Sequence, residues 1–307
     1  MKLKLIFFTT LILLSATSIS FADDAAFEGE GETVWPVESR DIEMVAETVL
    51  VQPGKNGWDA NCVFILRNTG EATEVQIGFP DMTDEGPGAD TTKGTIQNFG
   101  CFVDGKEVVV EHRAGIPNPI DPNLRYPFAF VWSTSFERGQ IRRVVNTYVF
   151  KGVLISDGSH QLIYMLRTGS LWKGKIGNAF IQFDMGKFNP KLFYSIEPPG
   201  YAIKKNKIVW KLADFEPKRN IIIFFSPYVE SWLIQAEQCL QSDSTEALKR
   251  LLDESLLHWN FYIYPALNRE FILKSERMIR RLKPLMDVRS YENAVKERKK
   301  SLEDPTQ

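Results

Sequence analysis

Cysteine and histidine are scarce in this 307-residue chain, with three of each. His112, His160 and His258 stand far apart, none of them four residues from another, and no Cys-x-x-Cys pair occurs. Structural zinc and zincin chemistry therefore lack ligands at the spacings they need, and no metal site is assigned. Nucleophile motifs are missing too. There is no Gly-x-Ser-x-Gly, and Gly158-Ser159-His160 puts its serine and histidine side by side, on opposite faces of any extended segment. The glycine-rich stretch 169–177 lies between strand-like segments, where a phosphate would need a helix N-terminus, so no nucleotide or other cofactor is implied. Lysine and arginine number 37 against 39 acidic residues, a net charge of −2, which offers no basic excess for nucleic acid. No catalytic residue is assigned on these grounds.

Long apolar runs are absent apart from the first. Lys2 and Lys4 precede an apolar run from Leu5 to Leu14, and small residues lead to Ser20-Phe21-Ala22 before Asp23. That order predicts a signal peptide cleaved after Ala22 and an exported protein, periplasmic or extracellular, with no transmembrane segment in its mature chain. Residues 23–33, acidic and aperiodic, read as a mobile leader. An oxidising compartment makes Cys62 and Cys101, in neighbouring strand-like segments, candidates for a disulfide. Cys239, in a helical pattern, reads as a buried free thiol.

What the chain has in quantity is alternation. Ile42, Met44, Ala46, Thr48 and Leu50 alternate with a second set along one segment, and Val75, Ile77 and Phe79 along another, as strands with a core face do. Asp104-Gly105, flanked by apolar runs, predicts a type I′ hairpin. Residues 81–94, with Asp81, Asp84, Glu85 and Asp90, form a long acidic loop without the spacing of a calcium site. Four prolines between Gly115 and Pro127 mark a boundary or a crossover between sheets. More short strands follow, and the unbroken run Ile221 to Phe225 predicts a central strand covered on both faces. Beyond Pro227 the spacing becomes helical, with a capping box at Asp243 and Glu246, and with Trp232, Leu233, Leu251, Trp259 and Phe271 as a packing face. The expected architecture is mostly β with an α-helical C-terminal region. It consists of tandem antiparallel β-sandwiches, over 34–120 and 121–227, followed by a small helical unit over 228–307.

Trp172, followed by Lys173 and Lys175 on a glycine-flanked turn, is the candidate binding residue, with the two lysines beside it. An exposed indole there would stack on a sugar or a partner's side chain with the lysines adding charge, whereas a buried one would plug the end of a sandwich.

The succession Phe136, Gly139-Gln140, Tyr148, Tyr164, Thr168-Gly169, Trp172-Lys173-Gly174-Lys175-Ile176-Gly177, Val209-Trp210 and Glu216-Pro217 resembles a family of secreted bacterial proteins known as domain of unknown function forty-four twenty-four. Asn68-Thr69-Gly70, Phe79-Pro80 and Val103-Asp104-Gly105 extend the likeness over roughly residues 34 to 227. The resemblance implies a β-rich exported protein and carries no activity. Some similar proteins end in a YARHG module, and this chain departs from them, since Phe261-Tyr262-Ile263-Tyr264 runs into Pro265.

Two functions remain open. The first is a non-catalytic extracytoplasmic protein that binds a protein or cell-envelope component. The alternative is a hydrolase of envelope polysaccharide, its carboxylates drawn from acids such as Asp59, Glu137, Asp184 and Glu216.

Overall fold

The structure, a computed structural model, describes residues 25–28, 35–36, 41–81, 92–117, 125–155, 158–242, 244–258 and 265–303. The predicted signal peptide, Asp84, Glu85, Asp90, Asp243 and Trp259 lie outside these residues. The chain is mostly β, followed by a helical C-terminal region. In chain order the first strands are β1 (Ala25–Glu28), β2 (Trp35–Pro36), β3 (Ile42–Pro53), β4 (Trp58–Asn68) and β5 (Thr73–Asp81). Then come β6 (Ile96–Val103), β7 (Lys106–Glu107), β8 (Glu111–Pro117), β9 (Arg125–Phe136), β10 (Ile141–Phe150) and β11 (Val153–Leu154). The remaining strands are β12 (His160–Tyr164), β13 (Ile176–Asp184), β14 (Ser195–Glu197), β15 (Ala202–Lys204), β16 (Lys207–Phe215) and β17 (Ile221–Phe225). Among the described residues of the C-terminal region are the α-helices α1 (Pro227–Gln241), α2 (Thr245–Leu252), α3 (Pro265–Leu282) and α4 (Arg289–Glu303), with a π-helical segment, Asp253–His258, following α2.

These strands make three sheets. One has five strands in the order β2-β1-β5-β9-β8, one has eight in the order β15-β16-β13-β3-β4-β10-β6-β7, and one has four in the order β11-β12-β17-β14. The division expected at 120/121 therefore does not separate two sandwiches. The proline-rich segment joins β8 to β9, antiparallel neighbours in one sheet, and the eight-stranded sheet draws strands from both sides of that point. β13 lies parallel to β3, the exception to the expected antiparallel pairing. Part of the expected leader is ordered as well, since β1 hydrogen-bonds along β5 and covers an edge that would otherwise stand open.

Local chemistry explains the element ends. Asp104 and Gly105 both take positive φ, 50° and 81°, as a type I′ turn demands. Helix α2 starts one residue later than the capping box predicted: Ser244 is its N-cap and accepts from the Ala247 N–H at 3.3 Å. In β3 the register shifts between Met44 and Ala46, and this bulge inverts the faces. Ile42 and Met44 point into the core, but beyond the bulge Glu47, Val49 and Val51 do so, which turns Thr48 and Leu50 outward. Gly177 allows β13 to approach that bulge, because a Cβ there would stand 2.4 Å from the Val45 carbonyl oxygen.

One core lies among the three sheets and a second among the helices. β17 belongs to both. Ile221, Ile223 and Phe225 enter the sheet core, while Phe224, with Tyr194, enters the helical one. The helical region is thus docked on the sheets at these two rings, with Ile155 and Leu192 packed against the same core and Glu230 Oε1 of α1 accepting from the Asn189 N–H at 2.7 Å. Helix α4 buries Tyr291 and Val295 in the same core.

Candidate functional site

Trp172 is not available to a ligand. Its side chain is 1% exposed and part of the sheet core, at the end of a 3-10 helix, Leu166–Leu171, where the backbone N–H of Trp172 donates to the Gly169 carbonyl. The lysines behave as a solvated rim. Lys173 donates from its backbone to Ile42 O at 2.8 Å and from Nζ to Thr69 Oγ1 at 2.7 Å, and Lys175 lies 3.5 Å from the exposed Asp214 carboxylate. The plug reading holds because an indole at the open end of a sandwich removes more apolar surface from water by turning inward than a glycine-flanked turn can offset by presenting it.

The expected disulfide is also corrected. Cys62 on β4 and Cys101 on β6 are both paired in register with Asn146 of β10, one on each side of it. Two strand spacings put their Cα atoms roughly 10 Å apart, beyond the reach of a disulfide. The two are not bonded to each other.

Of the acids considered, Asp81 is fully buried and acts as a clamp at the base of the long loop. Its Oδ1 accepts from the N–H groups of Thr95 and Ile96 at 2.9 and 3.0 Å, and its Oδ2 takes the Nε2 hydrogen of His112 at 3.1 Å. The imidazole stacks against Phe128 and Phe130. His160 is half buried against Phe225, and burial holds its pKa below the usual value. Among the described residues no group of three or more His, Cys, Asp or Glu is placed to hold a metal ion. Glu137 and Glu216 are exposed in separate turns. Asp184 is engaged: the Gly186 N–H at 3.0 Å and the Lys207 ammonium at 3.1 Å hold its carboxyl below the usual range.

Unspent polar groups gather elsewhere, on the outer face of the eight-stranded sheet. Leu50 and Gln52 from β3, Asp59 and Asn61 from β4, Asn98 from β6, and Thr147 and Val149 from β10 line a groove of about 530 Å³. Register builds it: Leu50 faces Asn61 and Asn61 faces Thr147, while Gln52 faces Asp59 and Asp59 faces Val149. At its edge β10 steps from Thr147 opposite Gly100 to Val149 opposite Gln97, so two residues of β6 stand against Tyr148 alone. Asn98, at φ 54°, is the extra residue. Such bulges re-aim side chains beside functional surfaces.

None of Gln52, Asp59, Asn61, Asn98 and Thr147 has a side-chain hydrogen bond to another described residue. Among the described residues no lysine or arginine lines the groove, and Asp59 is the carboxylate of its lining. Chemically it offers amides and a hydroxyl, each able to donate and accept, beside small apolar patches. None of these residues except Asp59 was singled out from sequence. The available signal was Gln97-Asn98, two polar residues in succession between Ile96 and Phe99, which breaks the strand alternation by one position.

No family model and no curated protein sequence matches this chain. Among solved structures it is similar to a candidate nutrient-binding protein from Legionella pneumophila, with a TM-score of 0.56 and 21% identity over 92% of this chain and 99% of the other. Partial likenesses to an M1 zinc metallopeptidase of Deinococcus radiodurans (TM-score 0.34, 8% identity, 62% of this chain and 43% of that one) and to aminopeptidase A of Legionella pneumophila (0.33, 7%, 72% and 28%) are too low to support any inference. The first likeness spans nearly the whole of both chains, sheets and helical region together, and establishes a shared fold.

Proposed function

We propose that this chain is a non-catalytic extracytoplasmic binding protein that takes a polar, uncharged ligand into the groove around Asn98. The observation that carries the reading is the set of five polar side chains, contributed by four strands, that converge without partners among the described residues. Gln52, Asn61 and Asn98 are exposed and Asp59 and Thr147 half-buried, so their polar groups are met by water and stand open to exchange it for the hydroxyls of a ligand. The absence of a cation among the lining residues disfavours phosphate or carboxylate ligands. The full-length fold shared with a candidate nutrient-binding protein supports the same reading, and the signal-peptide pattern of residues 1–22 supports export. Hydrolysis of a glycan by paired carboxyl groups has less support, because Asp59 has no second lining carboxyl beside it and Asp184 is already engaged.

The test is thermal stabilisation by a panel of solutes: sugars, polyols, amino acids and inorganic phosphate. A neutral hydroxylated solute should raise the melting temperature of the native sequence and not that of a Gln52→Ala, Asn61→Ala double variant. A shift that survives the double substitution would place the ligand elsewhere and end this reading.

A further inference from the structure

Around the groove the outer face is ordered in rows that cross the strands. One row is apolar: Phe180, Thr48, Val63, Val145 and Phe102 are successive register partners on β13, β3, β4, β10 and β6. Its aromatic and valine members belong to neither hydrophobic cluster; Val145 at its centre is 9% exposed and Phe180, Val63 and Phe102 are half-buried, so the row presents a low apolar strip and not open rings. The next row, two residues along each strand, runs Gln182, Leu50, Asn61, Thr147 and Gly100. Beyond it Gln52 and Asp59 continue the polar side. The apolar row itself meets charge at its ends, Lys211 and Glu107, while Asp59 stands among the polar rows and Arg143, two residues from Val145 on β10, stands on the other side.

Resting on the binding reading above, we infer that the ligand is a neutral linear oligosaccharide lying across the strands. Its hydroxyls would meet the polar rows and the C–H faces of its rings the apolar row. Three properties of the surface select that occupant. Sugar hydroxyls both donate and accept, as do the amides of Asn61, Gln52 and Gln182 and the hydroxyl of Thr147. A sugar ring has one polar perimeter and one apolar face, and here polar and apolar rows run side by side, about 7 Å apart along the strands. Members of a row stand about 4.8 Å apart from strand to strand, close to the width of one ring, so successive units of a chain lie over successive strands. A protein surface laid on the same face would have to satisfy each amide and hydroxyl at fixed positions or bury it unpaired. A second copy of this chain would bring the same unpaired groups. An anionic chain lying over the polar rows would meet the Asp59 carboxylate.

The experiment is calorimetric titration of the mature full chain with glucose, cellobiose and cellotetraose, and with chitotetraose. Affinity should rise about tenfold or more from the monosaccharide to a tetrasaccharide as further strands are engaged. Asn61→Ala should weaken tetrasaccharide binding about fivefold, the loss of a neutral hydrogen bond. Phe102→Ala should remove the gain between disaccharide and tetrasaccharide while leaving the melting temperature close to that of the native protein, because its ring lies outside both cores. A monosaccharide bound as tightly as a tetramer overturns the linear-chain inference, and so does tetrasaccharide binding indifferent to both substitutions. If no saccharide binds but a neutral dipeptide or polyol stabilises the chain in an Asn61-dependent way, the oligosaccharide is wrong and the binding groove stands. If the chain binds none of them and sediments as a dimer that Val63→Asp dissociates, a second copy covers the face, and both the oligosaccharide and the groove fall.

Discussion

Tyr164 donates its hydroxyl hydrogen to Glu47 Oε1 at 2.7 Å, deep between the eight-stranded and four-stranded sheets. Glu47 is 1% exposed, and its Oε2 has no hydrogen-bond partner in the structure. Burial disfavours the charged carboxylate and, against the opposing effect of the Tyr164 bond, raises its pKa from 4.5 to about 7. The bulge at Met44 is what turns this side chain inward.

That burial makes stability fall as pH rises. Between the unfolded value and about 7 the unfolded chain gives up this proton while the folded chain keeps it, so the folded state binds more protons and loses ground. The stabilisation is complete below about pH 4.5 and has been lost by about pH 7, a change on the order of 3 kcal/mol. Urea midpoints measured from pH 4.5 to 7.5 should decline for the native sequence relative to Glu47→Gln, which cannot ionise. Parallel profiles for the two proteins would show that Glu47 does not titrate in this range.

Trp172→Ala should act on the fold and not on ligand recognition. Removing a fully buried indole costs about 3–5 kcal/mol, whereas Lys173→Ala and Lys175→Ala should each stay within about 0.5 kcal/mol. Denaturant titration of the three variants checks the contrast. A Trp172 variant of native stability would return the indole to the surface.

The thiols offer a chemical test. Alkylation of the purified protein with iodoacetamide in denaturant, without reductant, should label Cys62, Cys101 and Cys239, and the intact mass should rise by three adducts. Labelling of Cys239 alone would mean that Cys62 and Cys101 are bonded, and that β10 does not lie between them.

Docking of the helices rests on Phe224 and Tyr194, whose rings meet edge to face at 5.3 Å. On the helical side Trp232 packs on Phe271 with centroids 4.3 Å apart, and its indole N–H donates to Leu251 O. A chain truncated after Pro227 should melt lower than the full protein and bind the dye ANS, because Phe224 and Tyr194 lose their cover. Trp232→Ala should destabilise by about 3–5 kcal/mol. Equal melting temperatures for the truncated and full chains would make the helical region an independent attachment.

Features set by a few neighbouring residues were legible in the sequence. The Asp104-Gly105 turn needs two residues that tolerate positive φ, Pro284 cannot continue helix α3, and an uninterrupted Ile221 to Phe225 admits no solvent face. The same holds for the broad class, a β-rich chain ending in helices, because the hydrophobic period changes at Pro227. Pairing across long separations decided the rest. Alternation says that β3 has two faces, but the bulge beside Gly177 of β13 decides that Glu47 goes in and Leu50 out. Gln52, Asn61, Asn98 and Thr147 are four polar residues on four strands, unremarkable one by one. They form a groove only because β10 runs between β4 and β6, the same arrangement that separates Cys62 from Cys101. Strand order is a global property: each strand's own pattern is satisfied by many neighbours, and burial of the whole core selects among them.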